Sequence, residues 1–376
     1  MKKKRVVVGL SGGVDSAVSA TMLKKQGFDV LGVFLYCYDG RVTACTVEED
    51  RAMAVKVADF LHIPIKIIDL RSQYRRSVID YFFAEYQKGR TPNPDVMCNK
   101  EIKFGIFYDQ VINEWGYDYV ATGHYARIIR CSIGNKADKL ESDATSRYCL
   151  AKGIDDGKDQ SYFLYRLKEN QLEHILFPIG DLKKEMVRKT AKQIKLPNWE
   201  KPDSQGICFI GEVDIKKFLM TEIKPQKGLV LNTKGEVIGE HEGVYFYTIG
   251  QRHGFKITNN LKLITNNKNV KPLYILNKDS VHNTLTVGNR EDLNTNIIIT
   301  EPLHLINDHI NPIIFKSNKF QARIRHLGEL YDCKIEKVSK NGESVIKLDK
   351  PAFAVAPGQS VVIYNKDIVV GGGVIK

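Results

Sequence analysis

A chain of 376 residues is too long for one ordinary domain, so two or three are expected. With 43% hydrophobic and 27% charged residues it reads as globular rather than disordered, and no apolar run nears the roughly 18 residues that span a bilayer, so no membrane-spanning helix and no membrane partner are expected. The formal charge of +12 favours a polyanionic partner, RNA above all.

From the N-terminus, Lys2-Lys3-Lys4-Arg5 runs straight into a strand with no apolar h-region behind it, so it is not a signal peptide and a cytosolic setting is expected. Lys4–Leu10 is that strand, and Ser16–Gln26 is the helix that follows, closed by Gly27 as its C′ residue. Between them, Gly9-Leu10-Ser11-Gly12-Gly13-Val14-Asp15-Ser16 has the composition of a phosphate-binding loop. Its glycines admit φ > 0 and let backbone N–H groups approach an anion, and Ser16 falls at the positive end of the helix. A Walker loop would end in Gly-Lys-Ser/Thr, and this one does not. Strands Val30–Tyr36, Pro64–Leu70 and Tyr119–Ala121 alternate with helices Thr46–Leu61, Ser72–Lys88 and Asn99–Trp115. That alternation predicts an α/β fold, a doubly wound parallel sheet with its ligand at the carboxyl ends of the strands.

A hairpin of Ala126–Arg130 with Arg147–Lys152 flanks a polar insertion, Gly134–Ser146, and Gln160–Lys168 and Leu182–Lys195 read as helices. Beyond about Ile210 the pattern shortens to strands Gly228–Leu231, Val237–Gly239 and Tyr245–Ile249, then a loop over Thr258–Lys271 expected to be mobile. Ile297–Thr300, Phe320–Ile324, Cys333–Val338, Val345–Leu348, Ser360–Tyr364 and Ile368–Val370 predict a small antiparallel barrel. Within Phe320–Ile324, alternation sets Phe320, Ala322 and Ile324 on one face and Arg323 on the other with Arg325, as a basic edge facing RNA. The expected units are 1–209 (catalytic), 210–276 (central, β-rich) and 277–376 (barrel).

Seven cysteines, an odd number scattered along the chain, form neither a secreted disulfide framework nor zinc-binding spacing. In Thr91-Pro92-Asn93-Pro94-Asp95-Val96-Met97-Cys98-Asn99-Lys100 the prolines exclude helix, leaving Cys98 at the N-terminus of the helix that follows. There the dipole, with Lys100 or Lys103, would stabilise a thiolate, and Asp95 is near enough for acid–base work. A buried thiol beside a capping Asp fits the same residues. In Asp203-Ser204-Gln205-Gly206-Ile207-Cys208-Phe209-Ile210-Gly211, glycines frame a cysteine that is either an accessible sulfur carrier or a core thiol beside Ile207 and Phe209.

Taken with Ala121-Thr122-Gly123-His124-Tyr125, Lys158-Asp159-Gln160-Ser161-Tyr162-Phe163-Leu164, Thr248-Ile249-Gly250-Gln251-Arg252 and Pro357-Gly358-Gln359, these segments resemble the tRNA-specific 2-thiouridylase family of PP-loop ATP pyrophosphatases, in order and along essentially the whole chain. The resemblance implies adenylation of the C2 oxygen of a wobble uridine by ATP with Mg²⁺, then sulfur delivery from a persulfide with release of AMP. It implies Cys98 as nucleophile, Cys208 as persulfide carrier, and Asn93, Pro94 and Asp95 at the target base. Gly9, Leu10, Ser11, Gly12, Gly13, Val14, Asp15, Ser16, Leu35 and Gly123 would line the ATP site. His124, Lys158, Asp159, Gln160, Arg325, His326 and Gln359 would meet tRNA. The implied partners are tRNA and a sulfur donor protein (a cysteine desulfurase or a persulfide relay), in the cytoplasm, with no tightly bound metal. The chain departs from the family at Leu35, commonly Met and followed by a longer segment, and at His326, usually tyrosine. Because glycines flank Cys208, a resting structure with the two sulfurs apart is expected, and sulfur release by disulfide formation or as free sulfide stays open. Two other classes compete. One is a different adenylating PP-loop enzyme, which needs no thiol pair; the other is a non-catalytic RNA-binding or redox protein, which gains nothing from hydrolysable ATP.

Overall fold

Val6, Val7 and Val8 are fully buried because the strand that carries them lies in the middle of a sheet covered on both faces. The computed structural model describes residues 3–38, 47–131, 147–203, 206–258, 272–307, 320–337 and 341–376. The expected insertion Gly134–Ser146, and all of the expected loop Thr258–Lys271 except Thr258, lie outside these. In chain order come β1 (Arg5–Gly9), α1 (Val14–Lys25), β2 (Asp29–Tyr36), α2 (Val47–Phe60), β3 (Ile65–Asp69), β4 (Tyr119–Ala121), the hairpin β5 (Ala126–Cys131) and β6 (Arg147–Lys152), and β7 (Ile175–Leu176). Five of the strands form a parallel sheet in the order β3-β2-β1-β4-β7. The order reverses direction between β1 and β4, so the loops leaving those two strands open a crevice at the carboxyl edge. The doubly wound α/β expectation holds; the two-residue β7 was too short to carry a sequence signal.

Several boundaries differ from the sequence reading, each for a local reason. The helix α1 begins at Val14, so Ser16 lies in its first turn rather than at its start. Helix after the Thr-Pro-Asn-Pro segment begins at Pro94, not Asn99: Asn93 caps it by accepting from Val96 N at 3.2 Å, and Pro94 takes the one helical position where a missing N–H is harmless. From Cys98 to Ile106 this helix is π-helical. Only one 3₁₀ turn, Ser161–Leu164, forms within Gln160–Lys168. There Asp159 accepts from Ser161 N and Oγ, and Tyr162 donates to Ser360 O at 2.7 Å, so tertiary bonds replace the helical ladder. The Tyr245–Ile249 strand is likewise a 3₁₀ turn, Val244–Phe246, entered through Gly243 at φ 139°.

A second five-stranded sheet runs Lys256–Ile257, Val237–His241, Gly228–Leu231, Thr284–Gly288, Tyr274–Asp279. Tyr274–Asp279 crosses the expected 276/277 boundary and pairs with Thr284–Gly288, so the central unit extends to Gly288. The C-terminal strands form the expected antiparallel sheet, and a bridge between Thr300 and Ile375 joins its ends. The hairpin β5–β6 is not confined to the catalytic unit. Ala151 pairs with Ile368 at the edge of the C-terminal sheet, tying first and last units together. Cys131 and Cys149 are disulfide-bonded across this hairpin.

Arg323 does not face solvent. Its guanidinium donates to the fully buried Asp159 at 2.8 Å and lies over the Tyr364 ring, because the 159–162 segment covers that face of the strand. The predicted basic edge therefore loses Arg323 and keeps Arg325. Arg323→Met should destabilise the protein by about 3–5 kcal/mol by leaving Asp159 uncompensated, and pairing it with Asp159→Asn should recover most of that. Urea unfolding is the check; a single variant as stable as wild type would show that the pair holds nothing together.

Candidate active site

A cavity of about 520 Å³ opens at the β1/β4 crevice. Its floor is the Gly9–Ser16 loop. Gly12 sits at φ 77°, and a Cβ there would lie 2.4 Å from Asp50 O, so the turn admits only glycine. Ser16 Oγ accepts from Ser11 N at 3.2 Å and donates to Gly13 O at 3.1 Å, which holds the loop's N–H groups in a concave array. Gly123 at the end of β4 packs against this array; its Cβ would lie 2.7 Å from Ser16 N. Leu35 on β2 is buried and supplies an apolar wall.

Charges gather beside the loop. Asp15 accepts from Lys184 Nζ at 2.7 and 2.9 Å and from Tyr125 OH at 2.8 Å. Asp203 accepts from Lys158 Nζ and Lys184 Nζ, each at 2.7 Å, and from Arg188. Burial opposes the charge on Asp203, but the hydrogen bonds from Lys158, Lys184 and Arg188 hold its carboxyl well below the usual range. Three cations thus share two carboxylates at the place a polyphosphate would enter. Among the described residues no group of three or more His, Cys, Asp or Glu is placed to hold a metal.

The other end of the cavity holds sulfur. Cys208 lies in a tight loop in which Ile207 and Gly211 exchange backbone bonds at 3.0 and 2.8 Å, with Gly206, Phe209 and Gly211 all at positive φ. For Phe209 that conformation costs on the order of 1 kcal/mol or more, offset by its edge-on contact with Tyr74. Cys208 N donates to Asp95 Oδ1 at 2.8 Å and Tyr74 OH donates to Cys208 O at 2.6 Å. These bonds bring Cys208 Sγ to 3.5 Å from Cys98 Sγ. The resting structure therefore has the two sulfurs in contact, not apart as the glycine flanks implied. Burial pushes the Cys98 thiol well up, whereas the Cys98 hydrogen bond, against burial and with Lys103, brings Cys208 down to about 7. The Cys98 thiolate that the sequence reading expects is thus disfavoured, because burial outweighs what Lys103 supplies. Burial raises the Asp95 carboxyl, with the Cys208 N–H and Lys103 opposing.

The remaining predicted residues divide. Lys158, Gln160, His124 and His326 line the cavity, where His326 packs on Phe163 with ring centroids 4.4 Å apart. Asn93 and Pro94 are buried as cap and first helical residue. Asp159 is fully buried on Arg323. Gln359 spends its amide on Thr91 O and Pro92 O, both at 3.0 Å, so the barrel grips the Thr91–Asp95 segment. Arg325 is exposed and donates to Phe353 O.

Family models match the chain in three consecutive pieces: a tRNA methyl transferase HUP domain over residues 4–212, a tRNA methyl transferase PRC-barrel domain over 216–289 and an aminomethyltransferase β-barrel domain over 295–375. A tRNA-specific 2-thiouridylase MnmA 2 from Thermoanaerobacter sp. (strain X514) is 41% identical, covering 99% of this chain and 98% of that protein. The chain belongs to the tRNA-specific 2-thiouridylase family. A second member, MnmA of Francisella tularensis subsp. holarctica (strain FTNF002-00 / FTA), is 40% identical over the whole of both chains. Among solved structures, a 4-thiouridine synthetase in complex with RNA and ATP is similar at a TM-score of 0.36 and 16% identity, covering 58% of this chain and 50% of that one. In this member of the 2-thiouridylase family, sequence reasoning missed Lys184, Arg188, Asp203 and Tyr74. Lys184 and Arg188 stand four apart on one helix face, but nothing in the sequence says which carboxylates they meet.

Proposed function

We propose that this chain uses ATP to replace the C2 oxygen of the wobble uridine in tRNA with sulfur. The observation that carries the reading is a single cavity with an anion-binding glycine loop at one end and Cys208 at the other, backed by the buried Cys98 with its sulfur 3.5 Å away. In this reading the loop residues Gly9–Ser16, with Leu35 and Gly123, hold ATP, and Mg²⁺ enters on the nucleotide's phosphates. The uridine C2 oxygen attacks the α-phosphorus, pyrophosphate leaves, and the oxygen becomes part of a good leaving group, AMP. A donor protein loads Cys208 as a persulfide. Its terminal sulfur goes to C2, AMP departs, and Cys98, giving up its thiol proton as it reacts, attacks Cys208 Sγ and displaces the sulfur now bonded to C2, leaving a disulfide for an external thiol to reduce. Asp95, already bonded to Cys208 N, is placed to exchange a proton near the base. Asn93 and Pro94 act from beneath by setting the turn that carries Asp95, while Lys158, Gln160 and His326 along the cavity and the exposed Arg325 meet the anticodon arm.

The names of the relatives support the substrate, and the +12 charge supports a polyanion. A PP-loop amidating enzyme would leave the sulfur pair without a purpose. The deciding experiment is nucleoside mass spectrometry of tRNA after incubation with ATP, Mg²⁺ and a persulfide donor. A wobble 2-thiouridine that requires ATP is the expected product; ATP consumption without any thiolated nucleoside would overturn the reading.

A further inference from the structure

We propose that Asn198 is a positioning residue for the glycine loop: its amide holds the Gly12–Gly13 peptide with the carbonyl turned away from the cavity, so that the Gly13 N–H is offered to an anion inside it. That this anion belongs to ATP rests on the function proposed above; the peptide's orientation does not. A trans peptide carries its C=O and N–H on opposite edges, so fixing one edge decides where the other points. This peptide is one that could turn over. Neither Gly12, at φ 77°, nor Gly13, at φ −84°, has a Cβ to oppose rotation of the plane between them. Turned over, it would place a carbonyl oxygen where the loop needs a donor.

Asn198 Nδ2 donates to Gly12 O at 3.0 Å from a turn 186 residues away in the chain. Among the described residues Ser11 and Gly13 line the cavity and Gly12 does not. On the opposite edge of the peptide, Gly13 N donates to Ser11 Oγ at 3.3 Å, a long bond that an incoming anion can replace. The next carbonyl, Gly13 O, is held locally, by Ser16 Oγ at 3.1 Å and Ala17 N at 3.3 Å. Gly12 O is held from outside. The prop is rigid: Asn198 is 2% exposed, and its turn is closed by bonds from Trp199 N to Leu196 O at 3.1 Å and from Lys201 N to Asn198 O at 3.0 Å. A carbonyl oxygen needs a donor, so the amide nitrogen must face Gly12. Asn198 Oδ1 is then buried with no hydrogen-bond partner among the described residues. An unpaired buried acceptor is destabilising. Leucine in the same space would avoid that and lose the bond to Gly12, so asparagine favours the loop at the expense of the core.

The test needs neither tRNA nor a sulfur donor. The full chain is titrated with inorganic pyrophosphate and Mg²⁺ by calorimetry, and its melting temperature is recorded. Asn198→Leu should raise the pyrophosphate Kd at least about tenfold. Trp199 packs beside Asn198 on the same core, so Trp199→Leu loosens the turn without touching the peptide; its Kd should stay within about twofold of wild type. A turn that only braces the fold would instead weaken binding in both variants in step with their melting temperatures. Wild-type affinity in Asn198→Leu, or equal losses in the two variants, overturns the proposal. A second arm uses a chain without substitutions at Asn198. With glycine labelled with ¹³C at the carbonyl and with ¹⁵N, the peptides that join two glycines are Gly12–Gly13, Gly371–Gly372 and Gly372–Gly373. The Gly13 amide signal, assigned by its loss in Gly13→Ala, should shift as pyrophosphate is added while the other two stay. An unmoved Gly13 signal in a chain that binds pyrophosphate overturns the proposal, even where Asn198→Leu fails to fold. A chain that gives both results and never thiolates tRNA would sink the proposed function and leave this one standing.

Discussion

Cys208→Ser is expected to lower tRNA thiolation by more than about 10³-fold while nucleotide and tRNA binding stay at wild-type levels. The loop should survive the change, since the bonds that place it are made by backbone atoms: Cys208 N to Asp95 and Cys208 O from Tyr74. Serine oxygen is smaller, fits the same space and cannot carry sulfane sulfur. In wild type, a single turnover without reductant should leave a Cys98–Cys208 crosslink. The two sulfurs need close only from 3.5 Å to a bond of about 2 Å, a side-chain movement rather than a domain movement. Disulfide mapping by peptide mass spectrometry reads this directly, and the crosslink should depend on both ATP and tRNA. Full thiolation by Cys208→Ser with a persulfide donor would remove Cys208 from the mechanism.

Asp15→Ala should reduce ATP-dependent AMP release by about 10²–10³-fold, and Ser16→Ala should act in the same direction. Asp15 aims Lys184 and Tyr125 at the glycine loop, and Ser16 fixes the loop through Ser11 N and Gly13 O. Without them the donors that would meet the departing pyrophosphate lose their aim rather than their presence. Both residues lie on the cavity floor, so tRNA affinity in a filter-binding assay should not change. Unaltered AMP release in either variant would take the loop out of the reaction.

The α/β architecture was legible because its signals are local: a β-branched run, a glycine loop, Gly27 closing a helix, apolar periods of the right length. The cysteine pair was legible as a pair of candidates, but not as neighbours, since 110 residues separate them and only the fold joins them. The errors came where tertiary partners overrule local preference. Pro94 looked like a helix breaker and is the first helical residue. Arg323 looked solvent-facing by alternation, which cannot reveal that the 159–162 segment covers that side. Gln160–Lys168 has a helical composition, but its tyrosines are bonded to the barrel. The cations Lys184 and Arg188 carry no motif at all, because a lysine's choice of carboxylate is a property of the folded state.

Asp203 is the last described residue before the turn that carries Cys208, and its carboxylate is the anchor shared by Lys158, Lys184 and Arg188. A triphosphate arriving at the glycine loop offers those cations a stronger anion than Asp203 does. Each ion pair it draws away is one tether fewer on the sulfur-bearing turn. Linkage makes the traffic two-way: whatever factor nucleotide binding contributes to loosening that turn, a tightened turn takes from nucleotide affinity.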